Sequence, residues 1–531
     1  MTRYLITSAL PYINGIKHLG NLIGSMLPAD VYARFLRQMG HEVLFICGTD
    51  EHGTPAEIAA QDAGKNVESY CREMYELQKN IGTQFRLSFD YFGRSSSISN
   101  HELSTEIFED LQKNGYIEKR LLKQYYSKKD QRFLPDRYVM GICPKCAYEK
   151  ARGDQCDGCG ALLDPIDLKN PYSSISGDKN LELRESEHFF LKLDALQDKV
   201  QNFVETHEWN SMTKGIARKW LHEGLKERCI SRDLKWGIPI PNSDKVFYVW
   251  FDAPNAYISI TRDLLGKEKS DTWWKNATDV VYTQFMAKDN VPFHAIFWPA
   301  MLMGTGKDWK QVDVLKSFAW LTYEGGKFST SQKRGVFMDQ ALNLYPSDYW
   351  RYYLLAHIPE TDDADFSFEN FAQTINKDLA NILGNFVNRT IALVHKYYGG
   401  QLPYAKLQDV RFDALVADYK AHLYALQFRQ ALMTLRKIWD FGNEFLTVRE
   451  PWKMVKVDPE GAATVLSQAL WLIRQYAELS APIIPDVCET MKTMVEITHK
   501  GWSLKETKPL FSKITDETIH EYGERFRGRV V

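Results

Sequence analysis

Four cysteines stand at Cys143-Pro-Lys-Cys146 and Cys156-Asp-Gly-Cys159, two Cys-x-x-Cys pairs with nine residues between them. Each tight turn converges two thiolates on one cation, Gly158 permits the second turn, and Lys145 offsets part of the negative charge. Four sulfurs fill a tetrahedral zinc shell and leave no open position, so the ion this spacing predicts is structural, with disulfides or free thiols as the alternative. A second group lies at the first strand-to-helix turn, Ala9-Leu10-Pro11-Tyr12-Ile13-Asn14-Gly15-Ile16-Lys17-His18-Leu19-Gly20-Asn21. His18 and Asn21 are spaced i, i+3 at a helix start, where free N–H groups and side-chain donors can meet phosphate; the spacing alone leaves open an ordinary turn with a solvent-facing histidine. A third is the flexible cationic stretch from Gly325 to Gly335, in which Lys327 or Lys333 could neutralise a departing pyrophosphate, unless it is only a solvated basic loop.

These residues need a scaffold. Short apolar runs at Tyr4 to Thr7 and Val43 to Cys47 alternate with a helical pattern from about Gly20 to Gln38, followed by helices to about Asn114. That pattern predicts an α/β fold with a doubly wound parallel (Rossmann-like) sheet. Between about 116 and 230 the texture changes to a basic run (Lys119, Arg120, Lys123, Lys128, Lys129, Arg132, Arg137) and the cysteine cluster, an inserted domain splitting the sheet. Strand-like runs return at Val246 to Phe251, Val280 to Phe285 and Val314 to Leu321. Beyond Phe366 no strand is expected: Leu379, Ile382, Leu383, Phe386, Val387, Thr390, Ile391 and Val394 recur at helical spacing, the face of an α-helical bundle. The predicted organisation is 1–115 and 231–322 for the two halves of the sheet domain, 116–230 for the zinc-binding insert, 323–370 for the region of the cationic loop, and 371–531 for the helical domain.

His-Leu-Gly-Asn near the start and Lys-Phe-Ser-Thr-Ser near residue 330 resemble the two signatures of class I aminoacyl-tRNA synthetases. With Ala9-Leu10-Pro11-Tyr12, Gly48-Thr49-Asp50-Glu51-His52-Gly53, the cysteine knuckle, Val249-Trp250-Phe251-Asp252-Ala253-Pro254, Phe293 to Ala300 and Glu450-Pro451-Trp452, the chain is similar to the methionyl-tRNA synthetases over about residues 1 to 480. The resemblance implies methionine-tRNA ligation with L-methionine, ATP with Mg2+, and tRNA(Met) as partners. It implies a methionine pocket of Leu10, Tyr12, Asp50, Trp250, Ala253, Pro254, Tyr257 and His294, Asp50 holding the α-ammonium. ATP would meet His18, Gly20, Asn21, Asp289, Lys327 and Thr330, with His18, Asn21, Lys327 and Lys333 catalytic. Asn381, Asn385, Arg389 and Trp452 would read the anticodon, a task suited to amide and guanidinium edges and an aromatic platform. Three departures stand out: Asn21 replaces a second histidine, Thr330 replaces a second lysine, and Gln332-Lys333 extends the loop, so Lys333 is expected to supply the missing cation.

Composition narrows the rivals. Across 531 residues, 66 Lys plus Arg face 68 Asp plus Glu, so nucleic acid must be met by local patches rather than a global basic field. Eight cysteines are too few for a secreted disulfide framework, and no continuous apolar block suggests a targeting or membrane segment; a cytoplasmic location and a monomer are expected. Another small-insert class I synthetase, an inactive RNA-binding paralogue and a simple nucleotidyltransferase remain the competing readings. An insert of only about 115 residues argues against the isoleucine, leucine and valine enzymes, which carry a large editing domain.

Overall fold

The computed structural model describes residues 2–154, 156, 158, 159, 161, 163–330, 334–505 and 509–526. Five strands, β1 (Arg3–Ser8), β2 (Glu42–Thr49), β3 (Tyr91–Arg94), β4 (Val280–Ala287) and β5 (Val314–Phe318), form a parallel sheet in the spatial order β5-β4-β1-β2-β3. The order reverses between β1 and β4, which opens a crevice at their carboxyl ends, where doubly wound sheets bind ligands. β3 lies in a stretch expected to be helical; four residues are too few for a period to declare itself.

Side chains alternate across the sheet as strand geometry requires. Leu5, Leu44, Ile46 and Tyr282 join one apolar cluster, and Ile6, Phe45 and Phe285 join another on the opposite face. The first is covered by the helices Ile98–Lys113 and Ala256–Leu265 and by Gln197–Thr206 and Ser211–His222 from the end of the expected insert. The second is covered by α1 (Leu27–Gln38) and runs without a break into the C-terminal helices.

Gly48 and Gly93 face each other across β2 and β3, and a Cβ on either would lie 2.6–2.7 Å from Ile260. Their bareness lets α2 (Ala256–Leu265), which carries Tyr257, sit close on the sheet. Two helices that start at the crevice share a device. A π-turn at Leu22–Met26 precedes Pro28, and another at Phe293–Phe297 precedes Pro299, so each wide turn comes just before a residue with no N–H to give.

The insert is built on an antiparallel ribbon, Ile117–Ser127 against Leu181–Leu191. Much of its basic run is already paired: Lys119 with Glu187, Arg120 with Glu118 and Glu227, Lys128 with Glu182, Arg132 with Glu57 and Arg137 with Asp154. The stretch expected as a strand at Val246 to Phe251 is corrected: only Val246–Phe247 is extended, antiparallel to Ser231–Arg232, and Val249–Asp252 is a helical turn. Trp250 thereby faces the crevice from a turn instead of a sheet edge.

In the last third, α3 (Ser347–Ala356), a π-helical run Ile375–Gly384 leading into α4 (Asn385–Tyr398), and the long helices Phe428–Arg449 and Pro459–Ser480 pack around Trp439 and Tyr476. The expectation of no strands there is also corrected. Gln401–Leu402, Val495–Thr498 and Gly501–Leu504 make a small antiparallel sheet closed over Trp502. Arg351 of α3 is fully buried; it donates to Asp30 of α1 at 2.7 Å and to the carbonyls of Phe85, Pro482 and Ile483, tying the bundle to the sheet domain. Among the described residues no helix is long and apolar enough to cross a membrane.

Candidate active site

The turn after β1 is held from three sides. Ala9 N donates to Phe285 O at 2.8 Å, Ile13 N to Asp50 O at 2.8 Å, and Asp50 N to Pro11 O at 2.9 Å, so residues 11–13 run as a short strand beside the end of β2. Gln78 donates to the carbonyls of Tyr12 and Gly15, where Gly15 has φ +138°. His18 caps the helix that follows: its Nδ1 accepts from Asn21 N at 3.2 Å, and Asn21 Oδ1 accepts from His18 N at 3.2 Å. This reciprocal cap fixes both side chains. With Nδ1 an acceptor, the imidazole proton sits on Nε2, and with Oδ1 engaged, the Asn21 amide keeps both N–H donors. Burial and the neighbouring Lys17 push His18 down to about 3, so it is a neutral donor at physiological pH. Lys17 is itself buried, bonds Asn14 Oδ1 at 3.0 Å, and is lowered to about 7 by burial against the pull of Asp50.

The second signature approaches from below. Thr330 Cγ2 lies 3.2 Å from where a Cβ on Gly15 would be, Phe328 packs on the His18 ring at 5.2 Å, and Met338 N donates to Lys17 O. Lys327 rests with its ammonium 3.6 Å from the centroid of Trp320; Lys288 lies 4.0 Å from the same centroid and bonds Asp363 at 2.7 Å. Asp289 is exposed in the turn after β4. Gly20 is at the helix start beside the His18 ring. Lys333 lies outside the described residues.

Beside this turn is an aromatic chamber. Tyr12 meets Trp250 edge-on at 6.3 Å, Trp250 stacks on Phe293 at 3.6 Å, and Tyr257 packs on His294 at 5.8 Å. His294 Nδ1 donates to Asn290 O at 2.9 Å, leaving Nε2 to accept from the Tyr257 hydroxyl at 3.0 Å. Burial lowers His294 to about 4 and so keeps this acceptor neutral. Ala253 and Pro254 are buried in the turn that carries Trp250, and Leu10 packs between two apolar clusters. Phe293 was not among the residues expected in the pocket, although it stands next to His294 in sequence.

Asp50 pairs through its backbone with Tyr12 of this chamber. It is buried, its Oδ1 has no hydrogen-bond partner, and burial together with Asp252 raises its carboxyl well above the ordinary range. A solitary buried carboxylate oxygen is costly unless a cation joins it. The neighbours of Asp50 are fully engaged: Glu51 takes a bidentate bond from Arg94 at 2.8 Å, and His52 Nδ1 lies 2.7 Å from Asp252 Oδ2.

The four cysteines come together, with ligand atoms all within 4.8 Å of one another; Cys143 to Cys159 is 4.0 Å and Cys146 to Cys156 is 3.6 Å. Tetrahedral zinc with bonds of about 2.3 Å requires sulfur separations of about 3.8 Å, so the cluster could hold a metal ion as it stands. In the helical domain, Asn381 and Asn385 are exposed along the helix, and the Arg389 guanidinium lies 4.2 Å from the Trp452 centroid.

The model for class I tRNA synthetases (M) matches residues 4–391, and the sheet with its two signature segments is of that class. The model for the anticodon binding domain of methionyl tRNA ligase matches residues 404–530. Methionine–tRNA ligases of Streptomyces avermitilis and Acaryochloris marina are each 50% identical to this chain, over 99% of it and 100% of their own length. A solved structure of Mycobacterium tuberculosis methionyl-tRNA synthetase in complex with methionyl-adenylate superposes with a TM-score of 0.77 at 25% identity, covering 96% of this chain and 100% of that one. The chain belongs to the methionine–tRNA ligase family and is an aminoacyl-tRNA ligase.

Proposed function

We propose that the crevice between β1 and β4 activates L-methionine and that the residues described around it carry the roles set out here. The observation that supports this most directly is the unpartnered Oδ1 of Asp50, buried beside an aromatic chamber. An α-ammonium would complete it, while Leu10, Tyr12, Trp250, Ala253, Pro254, Tyr257 and His294 enclose a thioether, whose sulfur gains from aromatic edges. The neutral Tyr257–His294 pair keeps a second charge out of that chamber.

The substrate carboxylate attacks the α-phosphorus of ATP, the bond to the β-phosphate bridging oxygen breaks, and methionyl-adenylate and pyrophosphate form. The carboxylate is already nucleophilic, so positioning and charge stabilisation do the catalysis. The His18 Nε2–H and the Asn21 amide donate to phosphate oxygens, Asp289 takes ribose hydroxyls, and Lys327 with Lys333 meets the leaving pyrophosphate. Mg2+ enters with ATP as the substrate complex. A terminal tRNA hydroxyl then attacks the acyl carbon, and AMP leaves. Zinc, bound by Cys143, Cys146, Cys156 and Cys159, would fix the fold of the insert and take no part in the chemistry. Asn381, Asn385, Arg389 and Trp452 receive the tRNA(Met) anticodon, and the reduced thiols suit a cytoplasmic setting.

ATP–pyrophosphate exchange measured with each of the twenty amino acids tests the assignment. Strong exchange with methionine alone is expected; exchange with a different amino acid would overturn the pocket, and none with any would overturn the reaction.

A further inference from the structure

We propose that Cys229, in the inserted domain, is a reactive thiolate site for small hydroperoxides, prepared by a Ser231–His188–Asp233 relay on one side and by Arg232 on the other. None of these residues belongs to the methionine, ATP or zinc sites.

The relay is continuous. Cys229 Sγ donates to the Ser231 carbonyl at 3.5 Å and lies 4.0 Å from Ser231 Oγ; Ser231 Oγ is 2.8 Å from His188 Nδ1, and His188 Nε2, which also meets Gln124, is 3.0 Å from Asp233 Oδ2. Lys245 holds the other oxygen of Asp233 at 2.5 Å, and Phe189 N donates to Ser231 Oγ at 3.0 Å, fixing the hydroxyl between sulfur and imidazole. Antiparallel pairing sets Cys229 opposite Phe190, two residues from His188, while Ser231 and Arg232 form the next short strand, paired with Phe247 and Val246, and Asp233 follows it. Arg232 is anchored by Asp136 at 2.8 Å and by the Tyr248 ring at 4.1 Å, and donates to the carbonyls of Cys229 and Ser231.

The charged and titratable groups around the sulfur are therefore His188, Asp233 and Lys245 on the relay side, and Arg228, Arg232, Asp136 and Tyr248 on the other. Although burial would raise the thiol, His188 and Arg232 hold Cys229 below its ordinary value. Burial would lower His188, but Asp233 and Cys229 hold it up, at about 9. The remaining thiols outside the zinc cluster behave oppositely: burial pushes Cys47 and Cys71 each up to about 12 and raises Cys488 strongly. A half-buried thiol beside an imidazole that can take its proton, and within the field of Arg232, is the environment in which cysteines react.

The proton balance is explicit. The Cys229 S–H passes its proton to Ser231 Oγ as the Ser231 hydroxyl gives its own to His188 Nδ1, leaving thiolate and imidazolium, the latter held by Asp233. The thiolate attacks one peroxide oxygen; a sulfur–oxygen bond forms and the oxygen–oxygen bond breaks. The leaving hydroxide or alkoxide takes back the proton through Ser231 and departs as water or alcohol. Sulfur is oxidised by two electrons to the sulfenic acid, and the peroxide is reduced by two.

The test uses the full-length, zinc-replete protein. Treated with hydrogen peroxide and a sulfenic-acid trap, it is expected to carry the adduct on Cys229 and not on Cys47, Cys71 or Cys488, by peptide mass spectrometry. Iodoacetamide alkylation of Cys229 from pH 5 to 9 is expected to show a midpoint below the roughly 8.5 of a free thiol, with His188→Gln raising it and slowing the reaction at pH 7 about tenfold. Should that variant lose its native circular dichroism, Asp233→Asn, which keeps the relay's shape, is expected to raise the midpoint too. A wild-type midpoint at the free-thiol value, or no trapped adduct on Cys229, overturns the proposal.

Discussion

The guanidinium of Arg389 lies 4.2 Å from the centroid of the Trp452 ring, so α4 and the helical turn Pro451–Met454 present one joint platform. Trp452 is half-buried against the bundle core while Asn381 and Asn385 stay exposed along the adjoining helix. A stacked base is worth about 1–3 kcal/mol by alanine substitution. Trp452→Ala is therefore expected to lower kcat/KM for tRNA roughly 5- to 150-fold, while pyrophosphate exchange changes less than about twofold. Equal losses in both assays would show that the ring only supports the fold.

Asp50 offers a charge-specific prediction. Asp50→Asn keeps the volume and removes the charge that would hold the ammonium, a loss of about 3 kcal/mol, or roughly 100-fold in kcat/KM for methionine. The wild-type carboxyl is raised by burial and Asp252, so as pH falls through that raised value it protonates and KM for methionine climbs. The Asn variant is expected to have a high KM that is flat over the same range. A KM for methionine that still climbs on acidification in Asp50→Asn would assign the titration elsewhere.

The residues that were legible from sequence are those whose partners are close in the chain. The cysteine pairs, the placing of His18 and Asn21 at a helix start and the apolar face through Leu379 and Val394 are set by spacing, and local geometry alone nearly determines them, whereas the reciprocal cap that turns His18 Nδ1 into an acceptor is seen only in the structure. What escaped depends on long-range packing. His52 meets Asp252, Lys327 rests on Trp320, and Lys119 and Lys128 of the basic run are paired by acids of the facing strand; no period in the sequence encodes these meetings. The misread Val246 to Phe251 shows the same limit, since a short apolar run suits a strand or a buried turn equally and only its neighbours decide.

Arg351 and Asp30 form a fully buried pair at 2.7 Å at the junction of sheet and bundle. Removing one partner strands the other, which costs about 3–5 kcal/mol. Arg351→Met is expected to lose that much by urea denaturation, with both halves loosening together because they share one core. Burial would raise the Asp30 carboxyl, but Arg351 and then Arg34 hold it below its ordinary value. The pair's stabilisation is thus fully present above the unfolded value of about 3.9 and is lost as pH falls through the depressed one. A destabilisation below about 1 kcal/mol, or an acid limb unchanged in the variant, would contradict this account.

The cysteine cluster predicts one zinc per chain by metal analysis. Cys146→Ser, or exhaustive chelation, is expected to expose the insert between Ile117 and Leu191 to protease while leaving the C-terminal bundle protected, because the knuckle has its own small core around Tyr138 and Val139. Unchanged proteolysis of a metal-free protein would mean that this core suffices without the ion.

The last prediction concerns the cationic loop. An exposed cation on an aromatic face is held by only about 0.5–1 kcal/mol, so Lys327 can leave Trp320 at little cost when a triphosphate offers stronger attraction. Lys327→Ala is expected to slow adenylate formation about 100-fold with little change in methionine binding, and Trp320→Ala to change the rate less than about fivefold. Thr330 carries no charge and touches Gly15, so it can position the turn but cannot neutralise pyrophosphate. If Lys333 provides the second cation, Lys333→Ala slows the same step well beyond threefold and the double variant with Lys327→Ala is slower still. A Lys333→Ala rate within about threefold of wild type would leave Lys327, the His18 Nε2–H and the Asn21 amide to stabilise the leaving group.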